Sequence, residues 1–177
     1  REFKTPEKIG SLIPEDIKPA YYGFFASFAE LKNHHFSLVI DTANAMGVLE
    51  LPIYEQLFEN LSMIRLYDDL AHPFSAHEAN PLKTETLDEL RARVLTEKAD
   101  LGIAYDGDAD RIGFVDEMGQ IIPMDLITAL LAKEVLKKKP GATILYDLRS
   151  SRSVKEFIEE NGGQALECRV GHAFIKQ

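Results

Sequence analysis

The sequence contains no tryptophan and a single cysteine, Cys168. One thiol cannot build an internal disulfide framework, and such scarcity suits a reducing cytoplasm, the expected location. Cys168 itself reads as a small buried strand residue rather than a reactive thiol. No apolar run approaches the roughly 20 residues a membrane-spanning helix needs, so no membrane partner is expected. The opening Arg1-Glu2-Phe3-Lys4-Thr5-Pro6 is charged and has no apolar stretch of the kind a secretory leader carries. It also lacks an initiating Met, which points to a fragment or a processed chain. Basic residues are in deficit: 20 Lys and Arg stand against 29 Asp and Glu, for a formal net charge of −9. That balance argues against a general nucleic-acid binder, which needs a basic face to neutralise phosphates. It leaves room for a phosphorylated small molecule, because a metal ion and a few arginines set the local field.

What is present suits a folded protein. Hydrophobic residues make up 45% of the 177, ordinary for a globular chain and too many for a disordered one. That length allows one domain or two small ones.

Strand-like and helix-like segments alternate along the chain. Residues 16–32 have helical spacing of Ile17, Tyr21, Phe24, Phe25 and Phe28, with Pro19 tolerated in the first turn. Residues 36–40 read as a short buried strand ending at Asp41. Residues 48–60 are helical in pattern, 62–67 form a second strand, and a polar loop covers 68–83. Thr86-Leu87-Asp88-Glu89 has the form of a capping box opening a helix with Leu87, Leu90 and Val94 on one face. Residues 99–105 are the next strand. Residues 112–115 and 121–122 flank a tight turn in which Gly119 supplies positive φ. A helix over 124–138, a strand over 142–146, a helix over 152–161 and a strand over 164–169 complete the pattern. This alternation predicts an α/β fold: a mixed, largely parallel sheet flanked by helices, followed by a truncated second α/β unit. Ligands in such sheets gather at the carboxyl ends of strands, here the loops after Ile40, Tyr105 and Tyr146.

The sharpest chemical signal is Asp106-Gly107-Asp108-Ala109-Asp110-Arg111, directly after the apolar run 101–105. Three carboxylates at alternate positions of an extended loop can converge on one point, and they repel one another unless a cation intervenes. An all-oxygen donor set selects a hard ion such as Mg²⁺, Mn²⁺ or Ca²⁺. Arg111 beside them offers a planar fork suited to phosphate oxygens. Two other readings share these residues. An EF-hand would use Asp106, Asp108, Asp110 and Glu117, but it calls for Gly where Arg111 stands and for a preceding helix. A phosphatase would use Asp106 as a carboxylate nucleophile, but Asp110 stands where such enzymes usually have Thr or Val.

The hexapeptide and the following Ile112-Gly113-Phe114-Val115-Asp116-Glu117-Met118-Gly119 resemble the metal loop of the α-D-phosphohexomutases. Residues 39–47, Asn80-Pro81-Leu82, residues 147–152 and Gly171-His172-Ala173-Phe174-Ile175-Lys176 are similar to further segments of that family in the same order. The resemblance implies an enzyme interconverting hexose 1-phosphate and hexose 6-phosphate through a phosphoserine and a bisphosphate. It implies Mg²⁺ on Asp106, Asp108 and Asp110, and Arg111 beside the transferring phosphoryl group. Arg149 stands where the family often has a substrate-facing lysine, and His172 is a substrate contact or proton-transfer candidate. The remaining histidines, His34, His35, His72 and His77, are expected on surfaces or in loops.

The family's nucleophile lies in a Thr-Ala-Ser-His-Asn-Pro segment, and none of Ser11, Ser27, Ser37, Ser62, Ser75, Ser150, Ser151 and Ser153 has that context. Its Gly-Glu-x-Ser-Gly-His loop is also missing, as is a C-terminal phosphate-binding domain. The expected layout is therefore a tail of a missing first domain at 1–15, the second domain at 16–120 and the start of the third at 121–177. The partners expected are a hexose phosphate and the remaining domains of the same enzyme, and the chain alone is expected to be inactive.

Overall fold

The computed structural model describes residues 10–27 and 35–176, the His172 side chain excepted. Among them, five strands form one sheet in the order β2-β1-β3-β4-β5. These are β1 (Phe36–Asp41), β2 (Leu61–Leu66), β3 (Leu101–Tyr105), β4 (Ile112–Asp116) and β5 (Ile121–Ile122). β1 lies inside the sheet between β2 and β3, parallel to both, with Asp41 opposite both Leu66 and Ala104. A central parallel strand is covered on both faces, so it carries apolar residues without alternation. Leu38-Val39-Ile40 meets that demand, and the last three residues of β1 are all buried. β4 and β5 run antiparallel as a meander, with Gly119 at φ 73° in the turn between them.

Helices cover both faces. α3 (Asp88–Glu97) places Leu90 and Val94 in a core with Val39, Ala104 and Val115, as its helical spacing predicts. On the opposite face α2 (Leu51–Leu57) sets Leu51 against Ile40 and Tyr105. The helix expected over 48–60 is shorter, because a 3₁₀ turn (Met46–Leu49) precedes α2 and Pro52 sits in its first turn. α1 (Lys18–Ala26) starts with Pro19 in its first turn; the rest of the expected helix falls partly on residues 28–34, outside the described residues.

The expected capping box does not form. Thr84–Leu87 is a 3₁₀ turn, and the Thr86 hydroxyl donates to the carbonyls of Asn80 and Lys83 instead of accepting from an amide of α3. The incoming 3₁₀ turn already carries the chain into the helix, so the hydroxyl is spent on pinning the preceding loop.

A second sheet pairs β6 (Thr143–Asp147) in parallel with β7 (Gln164–Cys168). α4 (Met124–Lys138) and α5 (Arg152–Glu160) supply Ala132, Leu136, Val154 and Ile158, which pack with Tyr146 in one cluster. Cys168 is half-buried at the end of β7 and donates its thiol to the Tyr146 carbonyl. Leu126, Leu130 and Leu131 of α4 stand more than half exposed. Among the described residues, no helix is long and apolar enough to cross a membrane.

Gly102 of β3 lies under α3: a Cβ there would fall 2.8 Å from Val94 Cγ2 and 3.1 Å from Leu90 Cδ1. Gly102→Ala should lower stability by about 1–3 kcal/mol through overpacking. A urea titration that follows the loss of helical signal tests this, and an unchanged midpoint would show that α3 can retreat from the sheet freely.

Candidate metal centre

The loop 106–111 connects two antiparallel strands, since Tyr105 pairs with Ile112 as the last rung of β3 and β4. Strands on both sides exclude the helix–loop–helix frame of an EF-hand. The loop is closed by its first residue. The Asp106 amide donates to the Arg111 carbonyl at 3.2 Å, and Asp106 Oδ1 accepts from the Arg111 amide at 3.0 Å. Ala109, at φ 60°, bends the backbone tightly enough for its amide to reach the Asp106 carbonyl.

This bend brings the three carboxylates together. One oxygen each from Asp106, Asp108 and Asp110 lies within 4.8 Å of the others. Asp106 is fully buried, whereas Asp108 and Asp110 reach solvent. Asp106 Oδ2 has no hydrogen bond; its near neighbour is Arg111 Nε at 2.6 Å, an ion pair without hydrogen-bond alignment. Burial works to raise the Asp106 carboxyl, but the Arg111 amide and guanidinium outweigh it and hold the group below its ordinary range. A buried, ionised oxygen lacking a hydrogen-bond donor, next to two exposed carboxylates, fits a hard divalent cation on chemical grounds. Arg111 Nε also lies 3.3 Å from Asp110 Oδ1, so the guanidinium spans two of the three carboxylates.

Arg111 lines a cleft of about 570 Å³ together with residues of α4 and with Asp147, Arg149 and Ser150 at the end of β6. Arg149 is held by Asp147: its amide donates to Oδ1 at 2.9 Å and Nη2 to Oδ2 at 2.7 Å. That pairing keeps the Asp147 carboxyl below its ordinary range. Asp125 of α4 also reaches the cleft and accepts from the Ser151 amide at the start of α5. The fold thus brings together Asp106, Asp108, Asp110 and Arg111, and sets Arg149 in the adjoining cleft. His172 opens the short helix α6 (His172–Ile175), and its side chain lies outside the described residues.

Among the other histidines, His34 lies outside the described residues, His35 is exposed, and His72 is a mostly exposed loop residue beside Asp69. His77 lies in a loop, as expected, but is drawn inward. It is only 22% exposed, and its Nε2 sits 2.9 Å from Oδ2 of buried Asp41. Asn44, 7% exposed, bonds the Asp69 amide and the Ser75 hydroxyl. Sequence reasoning passed over these residues because Asp41, Asn44 and His77 have no spacing that ties them together. The available signal was that Asp41 ends a buried strand beside the one that leads into Asp106.

Two family models match the chain. Residues 19–119 match the alpha/beta/alpha domain II of phosphoglucomutase/phosphomannomutase, and residues 123–177 match its domain III. A phosphomannomutase of Methanocaldococcus jannaschii is 44% identical over 141 residues, covering 79% of this chain and 31% of the relative. A phosphoglucomutase of Neisseria gonorrhoeae is 34% identical over 175 residues, 98% of this chain and 37% of the relative. The chain therefore spans about a third of the length of these curated relatives. A solved phosphoglucomutase/phosphomannomutase family protein from Burkholderia thailandensis superposes with a TM-score of 0.82 at 32% identity, covering 91% of this chain and 35% of that one. With both domain signatures, the curated relatives and the superposed fold in agreement, the chain belongs to the phosphoglucomutase/phosphomannomutase family.

Proposed function

We propose that this chain supplies the metal centre and part of the substrate cleft of an enzyme that interconverts hexose 1-phosphate and hexose 6-phosphate. The observation that carries this reading is the convergence of Asp106, Asp108 and Asp110 within 4.8 Å, with Asp106 buried at the carboxyl end of β3. In the proposed layout, residues 1–15 link to a preceding domain, 16–120 form the metal-bearing domain and 121–177 begin the next. Residues 1–9 of that link lie outside the described residues.

Asp106, Asp108 and Asp110 would hold Mg²⁺, with a phosphoserine from another domain as a further ligand. Bound there, the ion offsets negative charge on the phosphoserine and its leaving oxygen. Arg111 stands close enough to two of the ligands to face the transferring phosphoryl group, where its planar fork pairs with phosphate oxygens. Arg149, across the cleft, binds the hexose phosphate, and Asp147 fixes its direction. His172 is assigned to the same substrate as a contact or proton carrier. The reaction proceeds in two transfers: phosphoserine to the free sugar hydroxyl, giving a bisphosphate, then the other phosphoryl group back to serine. Arginine and the metal contribute by positioning and by charge, the two terms on which phosphoryl transfer mainly depends. A phosphatase reading with Asp106 as nucleophile has less support, because that carboxylate is fully buried and Asp110 stands where such enzymes usually have Thr or Val. The partners proposed are the hexose phosphate and the other domains of the enzyme, in the cytoplasm.

Asp108→Asn removes one charged donor and leaves the buried anchor of the loop intact. It should weaken Mg²⁺ binding by about tenfold, as expected when a ligand charge is lost. Titration calorimetry showing equal affinities in parent and variant would refute the metal assignment. The isolated 177-residue chain should convert no glucose 1-phosphate to glucose 6-phosphate, since none of its serines has the nucleophile's sequence context. Measurable turnover by the pure chain in a coupled assay would sink the phosphoserine scheme.

A further inference from the structure

Gly107, between the proposed ligands Asp106 and Asp108, is gripped from two sides. On one side its carbonyl accepts from the Met46 amide at 3.3 Å, at the end of the turn that follows β1. On the other lies the Phe74 ring: a Cβ on Gly107 would meet Phe74 Cε1 at 3.1 Å and Ala79 Cβ at 4.0 Å. Phe74 belongs to the long loop between β2 and α3, which folds back over the carboxyl edge of the sheet.

That loop is tied to the turn after β1, the same turn that holds Gly107. The Asn44 side chain bonds Ser75 Oγ and the Asp69 amide, both at 2.9 Å. Thr42 Oγ1 donates to the Tyr67 carbonyl at 2.6 Å. Asp41 completes the tie: Oδ1 accepts from the Ala43 amide, and Oδ2 faces His77 Nε2 at 2.9 Å. His77 Nδ1 faces the Glu78 carbonyl at 2.8 Å, so both ring nitrogens point at oxygens. A carbonyl can only accept, so Nδ1 carries a proton, and a second proton must lie between Nε2 and the Asp41 carboxylate. A neutral imidazole beside an ionised Asp41 cannot satisfy both contacts. Burial raises the Asp41 carboxyl, and its contacts with His77 and the Ala43 amide oppose that rise.

The backbone is strained around this circuit. Ala43, Asn44, Tyr67 and Phe74 all have φ between 49° and 58°, a region that disfavours side chains, and Ala109 of the metal loop has φ 60°. Such conformations persist only where the surroundings over-determine them, and they gather at functional sites.

Resting on the metal reading above, the geometry points to Phe74 and His77 as positioning residues for the metal loop. The Asp41–His77 pair anchors the segment, and Phe74 presses on Gly107 to set where Asp108 stands relative to Asp106. The segment acts on the metal through the loop backbone, without touching the ion.

The test measures Mg²⁺ affinity by calorimetry in the purified protein and in Phe74→Ala, His77→Ala and His77→Gln variants, with thermal melts in EDTA alongside. Phe74 is 57% exposed, so its removal should leave the metal-free melting midpoint unchanged. Phe74→Ala and His77→Ala should each weaken Mg²⁺ binding by about tenfold, the usual result of removing support behind a ligand. His77→Gln, which restores a donor towards Asp41, should recover most of that affinity. Parent-like affinity in Phe74→Ala would overturn the inference alone, and so would a His77→Gln variant as weak as His77→Ala. A parent protein that binds no Mg²⁺ would overturn the metal reading with it.

Discussion

Three carboxylates within 4.8 Å of one another repel strongly, and the site exists because one of them is built into the fold. Asp106 ends β3, is fully buried, and uses one oxygen to accept the amide of residue 111 across the loop. That bond closes the hairpin, and with the β3–β4 ladder below it the loop has few other shapes available. Asp108 and Asp110 then sit on a short, fixed path and reach solvent from the same side. Arg111 supplies the opposing charge from within the same six residues. Repulsion is thus contained by a covalently local arrangement, and the wider sheet has only to keep β3 and β4 in register.

The parallel pairing of β1 with β3 also shapes the site. It sets Asp41 opposite Ala104, so that the turn after β1 and the loop after β3 emerge side by side. The turn holds Gly107 through the Met46 amide. The cleft needs the other sheet as well, since Arg149 comes from the loop after β6. Family membership, shown by the two domain signatures and by close relatives, agrees with this division of labour, and the chemistry proposed for the whole enzyme extends it.

Much of this was legible in the sequence, for identifiable reasons. Leu87, Leu90 and Val94 repeat at helical spacing and are buried together. Alternate Asp residues after an apolar run marked the loop where three carboxylates converge, because their spacing is chemically unusual. Helix ends were read less well. The Thr86 hydroxyl turned back to two carbonyls, a choice set by a 3₁₀ turn that depends on the loop before it. The Asp41–His77 pair was invisible because 36 residues separate its members and only the folded sheet brings them together. His172 resembled a site residue mainly through its motif, its place after Gly171 being the weaker physical clue.

The hydrogen bond that shapes the metal loop comes from the backbone of residue 111, and the charge comes from its side chain. Shape and charge at that position are therefore separable. Any residue with an amide proton can make the bond that closes the turn, but without the guanidinium the three carboxylates would need a bound cation to offset their repulsion. A chain could in this way change the electrostatics of this loop while keeping the hydrogen bond that closes it. Only proline, which has no amide proton, is barred from the position on structural grounds.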